Sequence, residues 1–347
     1  MGARVTYLIG AGASYGERGQ KGVDYVKRGI PIVNEMVEGI EYVIANLSTI
    51  PLSNDKKAII SYMRELKQHC AEYPTIDTYA KMLYTTKRFK EYERLKRQLS
   101  VYFLLVQEPT RRDIRYDGFI ASLIDEKTDR LPNINVLSWN YDAQFEMAFA
   151  DYVPVRNGLT SITAYLNERN KVFNTNPFFH DDRFTLIKLN GTAFFEQTKS
   201  GTTLQFGNYR GDYWDTLPDN TKFEIFEDFL AHAEYENGPY ECGLSYAWEH
   251  YPTLEEDFYD DLRKKLADTE ALVVIGYSFP YVNRKVDKML FEYMPKLRKV
   301  YIQDTHFFDV EERVMTIRDA VYTNPFPDDQ IHCTDNCSQF LIPNELA

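Results

Sequence analysis

Ile134-Asn135-Val136-Leu137-Ser138-Trp139-Asn140-Tyr141-Asp142 is a short apolar run that stops abruptly in polar residues, and Gln144 to Phe149 follows at once in an apolar, helix-like pattern. In an open α/β sheet such a switch marks the carboxyl end of a buried strand, where ligands bind. The pattern recurs along the chain. Val5-Thr6-Tyr7-Leu8-Ile9 runs into Gly10-Ala11-Gly12-Ala13-Ser14, and Thr185-Leu186-Ile187 into Lys188-Leu189-Asn190-Gly191. Ala271-Leu272-Val273-Val274-Ile275 runs into Gly276-Tyr277-Ser278, and Val300-Tyr301-Ile302 into Gln303-Asp304. Five such runs, each closed by glycine or a polar group, predict five strand tips that converge on one crevice.

The segments between the runs complete the fold class: α/β, a Rossmann-like open, mostly parallel sheet with large helical insertions. Residues 1–34, 113–199 and 266–320 are assigned to the core. Residues 35–112 form a helical insertion, with helices expected at 35–47, 55–72, 76–85 and 87–106. In the first of these Met36, Val37, Ile40, Val43, Ile44 and Leu47 recur at helical spacing, and Asn34 is placed to cap it. Residues 200–265, acidic and rich in aromatics, form a second helical insertion, with short strands near 203–206 and helices around 221–235 and 253–268. Further helices are expected at 113–125, 142–150, 283–293 and 307–314. Residues 321–347, with Pro325 and Pro327, form an irregular C-terminal tail packed on the core. Gly16, Gly19, Gly22 and Gly29 interrupt the helix that should follow the first strand, which predicts a mobile loop between Gly16 and Gly29.

At 347 residues the chain can bury a large core. No apolar run approaches the roughly 20 residues of a membrane span, and Met-Gly-Ala-Arg-Val carries no signal-peptide pattern. A cytoplasmic protein without membrane contact is expected. Cys70, Cys242, Cys333 and Cys337 include no CxxC pair, which fits reduced thiols. His332 beside Cys333 and Cys337 supplies too few ligands for a structural zinc, so no metal is expected. A net charge of −12 argues against direct nucleic-acid binding. That charge is unevenly spread: Lys81 to Arg115 holds ten Lys or Arg against four Asp or Glu, whereas Glu224 to Asp261 holds twelve acids and no Lys or Arg. These are either two sets of solvated helix faces, or complementary surfaces between subunits or toward a partner. Only the second predicts salt-sensitive assembly.

Gly10-Ala11-Gly12-Ala13-Ser14 after a strand has the form of a phosphate cradle, because glycines admit close approach and free amides at a helix start attract anions. A tight strand-to-helix turn without ligand has the same sequence form. The loop is neither a Walker loop nor a strict GxGxxG, since Tyr15 occupies the last glycine position. Asn140 could likewise cap the following helix, with Asp142 in its first turn.

Taken in order, Gly-Ala-Gly-Ala-Ser, Gly29-Ile30-Pro31, Ser138-Trp139-Asn140-Tyr141-Asp142, Lys188-Leu189-Asn190-Gly191 and Gly276-Tyr277-Ser278 resemble the motifs of sirtuins. They are most similar to the sirtuin-like NAD-consuming effectors of bacterial antiphage defence, above all in Ile275-Gly276-Tyr277-Ser278-Phe279-Pro280. The resemblance spans about 100 residues in five blocks and leaves both insertions unmatched. It implies NAD+ as substrate. Gly10, Ala11, Gly12, Ala13 and Ser14 would line the pyrophosphate, with Pro31 beside them; Asn140 and Asp142 would stand beside the nicotinamide ribose. Gly276 and Ser278 would contact the ribose–phosphate, and Gln303 and Asp304 the adenosine half. Asn140, Asp142 and Asn190 are the implied catalytic residues. Asn190 departs from the family, which usually carries histidine there; an amide can hold a ribose hydroxyl but lacks basicity. His180 could substitute if its loop folded inward. The paired CxxC zinc module of the family's protein deacylases is also missing, which points to water as the acceptor.

The resemblance therefore implies an NAD+ hydrolase, releasing nicotinamide and ADP-ribose, that acts as a triggered NAD-depleting effector. The alternative is an NAD or ADP-ribose sensor without turnover, and a protein deacylase is disfavoured. An activity of this kind needs restraint, so a homo-oligomer and a partner are expected, with a HerA-type ATPase suggested by the resemblance.

Overall fold

A computed structural model describes residues 3–49, 54–107, 112–128, 130–152, 165–170, 180, 182–197, 202–204, 240–246, 248–249 and 255–346. Strand β1 (Val5–Ile9) leads through a single 3-10 turn (Ala11–Ser14) into a hairpin of β2 (Glu17–Arg18) and β3 (Val26–Arg28). Helices α1 (Met36–Thr49), α2 (Asn54–Glu72), α3 (Ile76–Thr85) and α4 (Phe89–Val106) follow as the first insertion. The chain then returns through α5 (Ile114–Leu123), β4 (Asn135–Ser138), α6 (Gln144–Ala150), β5 (Arg169–Asn170) and β6 (Thr185–Lys188). Strands β7 (Gly191–Gln197), β8 (Thr202–Leu204) and β9 (Tyr240–Leu244) come next, and α7 (Glu255–Leu266) precedes β10 (Ala271–Ile275). Helix α8 (Arg284–Glu292), β11 (Lys299–Gln303), α9 (Phe307–Val321) and β12 (Ile331–Thr334) complete the order.

The main sheet has seven strands in the order β12-β11-β10-β1-β4-β6-β5, and every pairing is parallel. Its central strands are buried on both faces, so they read as continuous apolar runs rather than alternating ones. Alternate side chains still go to opposite layers. Val5, Tyr7, Ile9, Val136, Val273 and Ile275 pack with Tyr116, Phe119 and Ile120 of α5 and Phe145 of α6. Leu8, Leu137, Leu272, Val274, Val300 and Ile302 pack with Leu262 of α7, Phe291 of α8 and Val314 of α9. The result is an open three-layer α/β fold. The chain leaves β1 toward β4 and β6 on one side and returns to β10, β11 and β12 on the other, which makes β1 the topological switch point. Register aligns the tips: Ile9 stands opposite both Ser138 and Ile275, Ser138 opposite Lys188, and Ile275 opposite Gln303.

Four features differ from the sequence reading. First, the tail is not irregular throughout: β12 extends the sheet at its edge, and α9 runs seven residues beyond the expected helix end at 314. The short His332–Thr334 segment lacks apolar alternation, so only its pairing with β11 reveals it. Second, Gly16 to Gly29 is a hairpin rather than a mobile loop. Arg18 holds it, donating to the carbonyls of Tyr15 at 2.6 Å, Arg28 at 3.1 Å and Ile30 at 2.7 Å. Third, the glycine loop opens no helix, because the 3-10 turn ends at once in the hairpin. Fourth, the second insertion holds more sheet than the short strands expected near 203–206: β8 lies there, but β9 is an additional strand, the two flank β7 in a small antiparallel sheet, and Leu244 and Tyr246 pack into the core of the first insertion. The helix expected at 221–235 lies outside the described residues.

Candidate active site

The tips of β1 and β10 meet backbone to backbone. The Gly10 amide donates to the Ile275 carbonyl and the Gly12 amide to the Gly276 carbonyl, both at 3.0 Å. A Cβ on Gly12 would fall 2.7 Å from the Gly276 Cα, and Gly276 (φ +58) could carry one only 2.5 Å from Gly12. Glycine is thus required by the contact between the tips. The Gly12 amide, spent on Gly276, is not free for an anion as the cradle reading expected. Arg115 of α5 holds the loop from behind, donating to the Gly12 carbonyl at 2.9 Å and the Ala13 carbonyl at 3.2 Å while paired with Asp113. Ala13 is fully buried against α5 and faces the core, not the pocket.

Asn140, just beyond β4, reaches across to this loop. Its Nδ2 donates to the Gly10 carbonyl at 2.9 Å and to Ser14 Oγ at 3.0 Å. A carbonyl can only accept, so the nitrogen must face Gly10, and Oδ1 is left without a protein partner among the described residues. Ser14 Oγ also meets the Tyr116 hydroxyl at 2.9 Å. Asn140 is therefore not the helix cap. The N-cap of α6 is Ala143, and Asp142 just ahead of it makes a local turn in which its Oδ1 accepts from the Gln144 amide at 3.0 Å. Burial pushes the Asp142 carboxyl above its ordinary range against the pull of Lys188.

Asn190 sits in the turn between β6 and β7. Its Nδ2 donates to the Trp139 carbonyl at 3.2 Å, and its Oδ1 is buried without a partner. The Trp139 indole nitrogen is also buried and unpartnered, with its ring stacked on Tyr277 at 5.3 Å. Two orphaned polar atoms beside one cavity are unusual, since buried polar groups are nearly always paired. Behind them Lys188 donates to the Asp142 carbonyl oxygen at 2.5 Å and pairs with Glu146 at 3.3 Å. Burial, then the nearby Glu146, pushes Glu168 up to about 8.

One pocket of about 180 Å³ gathers these groups. Ala11, Ser14, Pro31, Asn140, Asp142, Asn190, Gly276 and Ser278 all line it. Trp139, Tyr141 and Tyr277 add aromatic walls, and Asp77, Leu99 and Phe103 of the first insertion close it. A wider depression at the hairpin tip, lined by Gly19, Gln20, Val23 and Asp24, is remote from the strand tips. Gly10, Gly12 and Ala13 are not part of the pocket wall, and Gln303, Asp304 and His180 stand apart from it. Gln303 spends its amide on the carbonyls of Asn336 and Gln339, both at 2.6 Å, and accepts from the Leu341 amide at 3.0 Å. It is the anchor of the tail, not a ligand contact. Asp304 is outside the pocket wall, where Oδ1 accepts from the His306 amide at 2.8 Å. The His180 carbonyl accepts from Lys265 and Asn167 beside Thr185, at the amino end of β6, so His180 cannot replace a residue at the carboxyl tips. Residues the sequence did not flag are Asp77, Tyr116 and Arg115. Nothing in their local pattern signals a site, because all three lie on ordinary helix faces.

Among the described residues no helix is long and apolar enough to cross a membrane, and no group of three or more His, Cys, Asp or Glu is placed to hold a metal ion. Fold and site together define a class: an open, parallel α/β protein with a polar crevice at the switch point of its sheet. No protein-family model and no curated protein matches the chain. Among solved structures it is similar to that of Sir2Tm bound to a propionylated peptide, at 12% identity and a TM-score of 0.37, over 89% of this chain and 85% of that chain. A likeness that loose carries no argument about function, and the fold rests on the sheet's own topology.

Proposed function

We propose that the crevice binds NAD+ and that the protein hydrolyses it to nicotinamide and ADP-ribose. The observation that carries the reading is the pairing of Asn140 and Asn190, two amides from neighbouring tips whose Oδ1 atoms have no protein partner beside one pocket. The order of motifs that resembles sirtuins supports it. Cleavage of the N-ribosyl bond passes through an oxocarbenium-like centre as neutral nicotinamide leaves, which calls for positioning and oriented dipoles more than for strong acid catalysis. Two fixed amide oxygens are suited to ribose hydroxyls or to a positive ring, and the stacked Trp139 and Tyr277 bound the flat side of the cavity. At 180 Å³ the pocket is smaller than the about 300–1,000 Å³ typical of whole-ligand sites, so it suits the nicotinamide-riboside half. The remainder would leave over exposed Ser278, toward Tyr281, which Arg284 and Arg313 flank at 5.2 and 5.8 Å. Those two guanidiniums suit a pyrophosphate.

A second reading, an NAD or ADP-ribose sensor, is motivated by Asn190, an amide with no basicity. In either case we propose a homo-oligomer restrained or triggered by a partner protein, in antiphage defence and with a HerA-type ATPase as the first candidate. Incubating the purified protein with NAD+, with and without such a partner, and quantifying nicotinamide and ADP-ribose separates the readings. Asn140→Ala should lower nicotinamide release by about 100-fold or more, as expected when an oriented dipole is lost. Binding without product in the unaltered protein would leave only the sensor.

A further inference from the structure

The pocket has a wall that the strand tips do not supply. Ile76 and Asp77 of α3 and Leu99 and Phe103 of α4 close it from the helical insertion, and Asp77 is the one charged side chain among them. It stands in the first turn of α3, where Thr75 caps the helix by accepting from the Thr78 amide at 3.1 Å. An acid in a first turn is ordinarily solvated and explained by the helix dipole. Asp77 instead faces the cavity, half-buried because the pocket opens onto it, and makes no hydrogen bond or ion pair among the described residues. Desolvation alone lifts its carboxyl to about 6.

The other candidates in the pocket are spent. Burial keeps the Tyr141 and Tyr277 phenols protonated, and Asp142, buried at the pocket wall, has its Oδ1 on the Gln144 amide. Asn140 and Asn190 have no basicity. The remaining titratable groups that sense the Asp77 charge are Tyr246 and Cys70, both also held protonated by burial. No cation shifts it.

We propose that Asp77 is the catalytic carboxylate of this pocket, taking the proton from the water that attacks the ribose C1′ of bound NAD+. The assignment rests on the hydrolase reading above. The C1′–N bond breaks with its electron pair leaving on nicotinamide, which departs neutral. The water oxygen forms the new C1′–O bond, its proton passes to the Asp77 carboxylate and then to solvent. NAD+ and water thereby give nicotinamide, ADP-ribose and one proton. The base comes from the insertion and the oriented amides from the sheet, so the site is complete only when α3 packs against the tips.

Asp77→Asn keeps the shape and the first-turn position and removes only the ionisable group. In the full-length protein, nicotinamide release is followed between about pH 5 and 8.5, beside ADP-ribose affinity by calorimetry and a carboxyl titration by infrared difference spectroscopy. With unaltered protein, kcat should rise as pH passes through about 6 and the carboxyl ionises. In Asp77→Asn, kcat should fall about 10²–10⁴-fold and the limb near 6 should vanish, along with the carboxyl signal that titrates there. ADP-ribose affinity should stay within about 3-fold, and Asp77→Glu should restore part of the rate. An active wild type whose Asp77→Asn variant turns over within about 3-fold of it overturns the assignment and leaves the hydrolase reading standing. A rate loss matched by an equal loss of ADP-ribose affinity moves Asp77 to binding and also overturns it. ADP-ribose binding with no nicotinamide release in the wild type sinks both.

Discussion

Asn140 and Asn190 are the same residue type one strand apart, yet the chain uses them differently. Asn140 spends both amide hydrogens on the glycine loop, so it fixes Gly10 and Ser14 as well as presenting Oδ1. Asn190 donates to the Trp139 carbonyl and, at 3.5 Å, to the Tyr141 hydroxyl, and leaves a buried oxygen unpaired. An unpaired buried acceptor costs about 1–3 kcal/mol, a cost without return unless something binds there. Asn190→Ala should therefore leave thermal stability unchanged or raised while ADP-ribose affinity, measured by calorimetry, drops about 5–20-fold. A lower melting temperature with unchanged affinity would mean that the amide serves the fold alone. Sequence inspection singled out both asparagines because they end apolar runs, but the division of labour between them depends on who stands opposite, which no local pattern encodes.

At the level of elements, the glycine loop acts mainly through its contact with the next strand tip. Gly10 and Gly12 allow the β1 turn to dock on Gly276, whose left-handed φ of +58 turns the chain away after β10. Gly276→Ala places a Cβ 2.5 Å from backbone atoms of Gly12 in a conformation L-residues rarely adopt. It should cost about 1–3 kcal/mol of stability in a urea titration and remove NAD+ binding, because the tips move apart. Retained binding in that variant would show that the pocket does not need this docking. The hairpin after the loop follows the same logic, since Gly16 and Gly29 lie against each other's chain at positive φ and Arg18 fastens what four glycines suggested would be mobile. Glycine count reads as looseness in a sequence; close backbone packing is the other use of the same residue.

For the molecule as a whole, the helical insertion is both a second core and the far wall of the pocket, through Leu99, Phe103 and Asp77. Under the proposed restraint by a partner, a shift of this insertion would open or complete the site. The basic segment from Lys81 to Arg115 includes α4, and the acidic segment from Glu224 to Asp261 has the opposite sign. If these meet between subunits, size-exclusion with light scattering should show larger species at low salt that dissociate as ionic strength rises from about 0.05 to 0.5 M, across which screening shortens several-fold. A size unchanged over that range removes electrostatics as the force holding any assembly together.

The sequence by itself determined the central sheet and the edge at which its strand tips converge. Short, doubly buried apolar runs have almost no other fate in a chain of this length, and a run that ends in Asn, Gly or Ser marks a tip wherever it occurs. It equally determined α1 to α4, whose boundaries follow from helical periodicity. Only the tertiary structure decided that β12 joins the sheet, that Gln303 anchors the tail, that His180 lies by the amino end of β6, and that Asp77 lines the pocket. Each of those depends on a contact between residues far apart in the chain, and local periodicity contains no term for a distant partner.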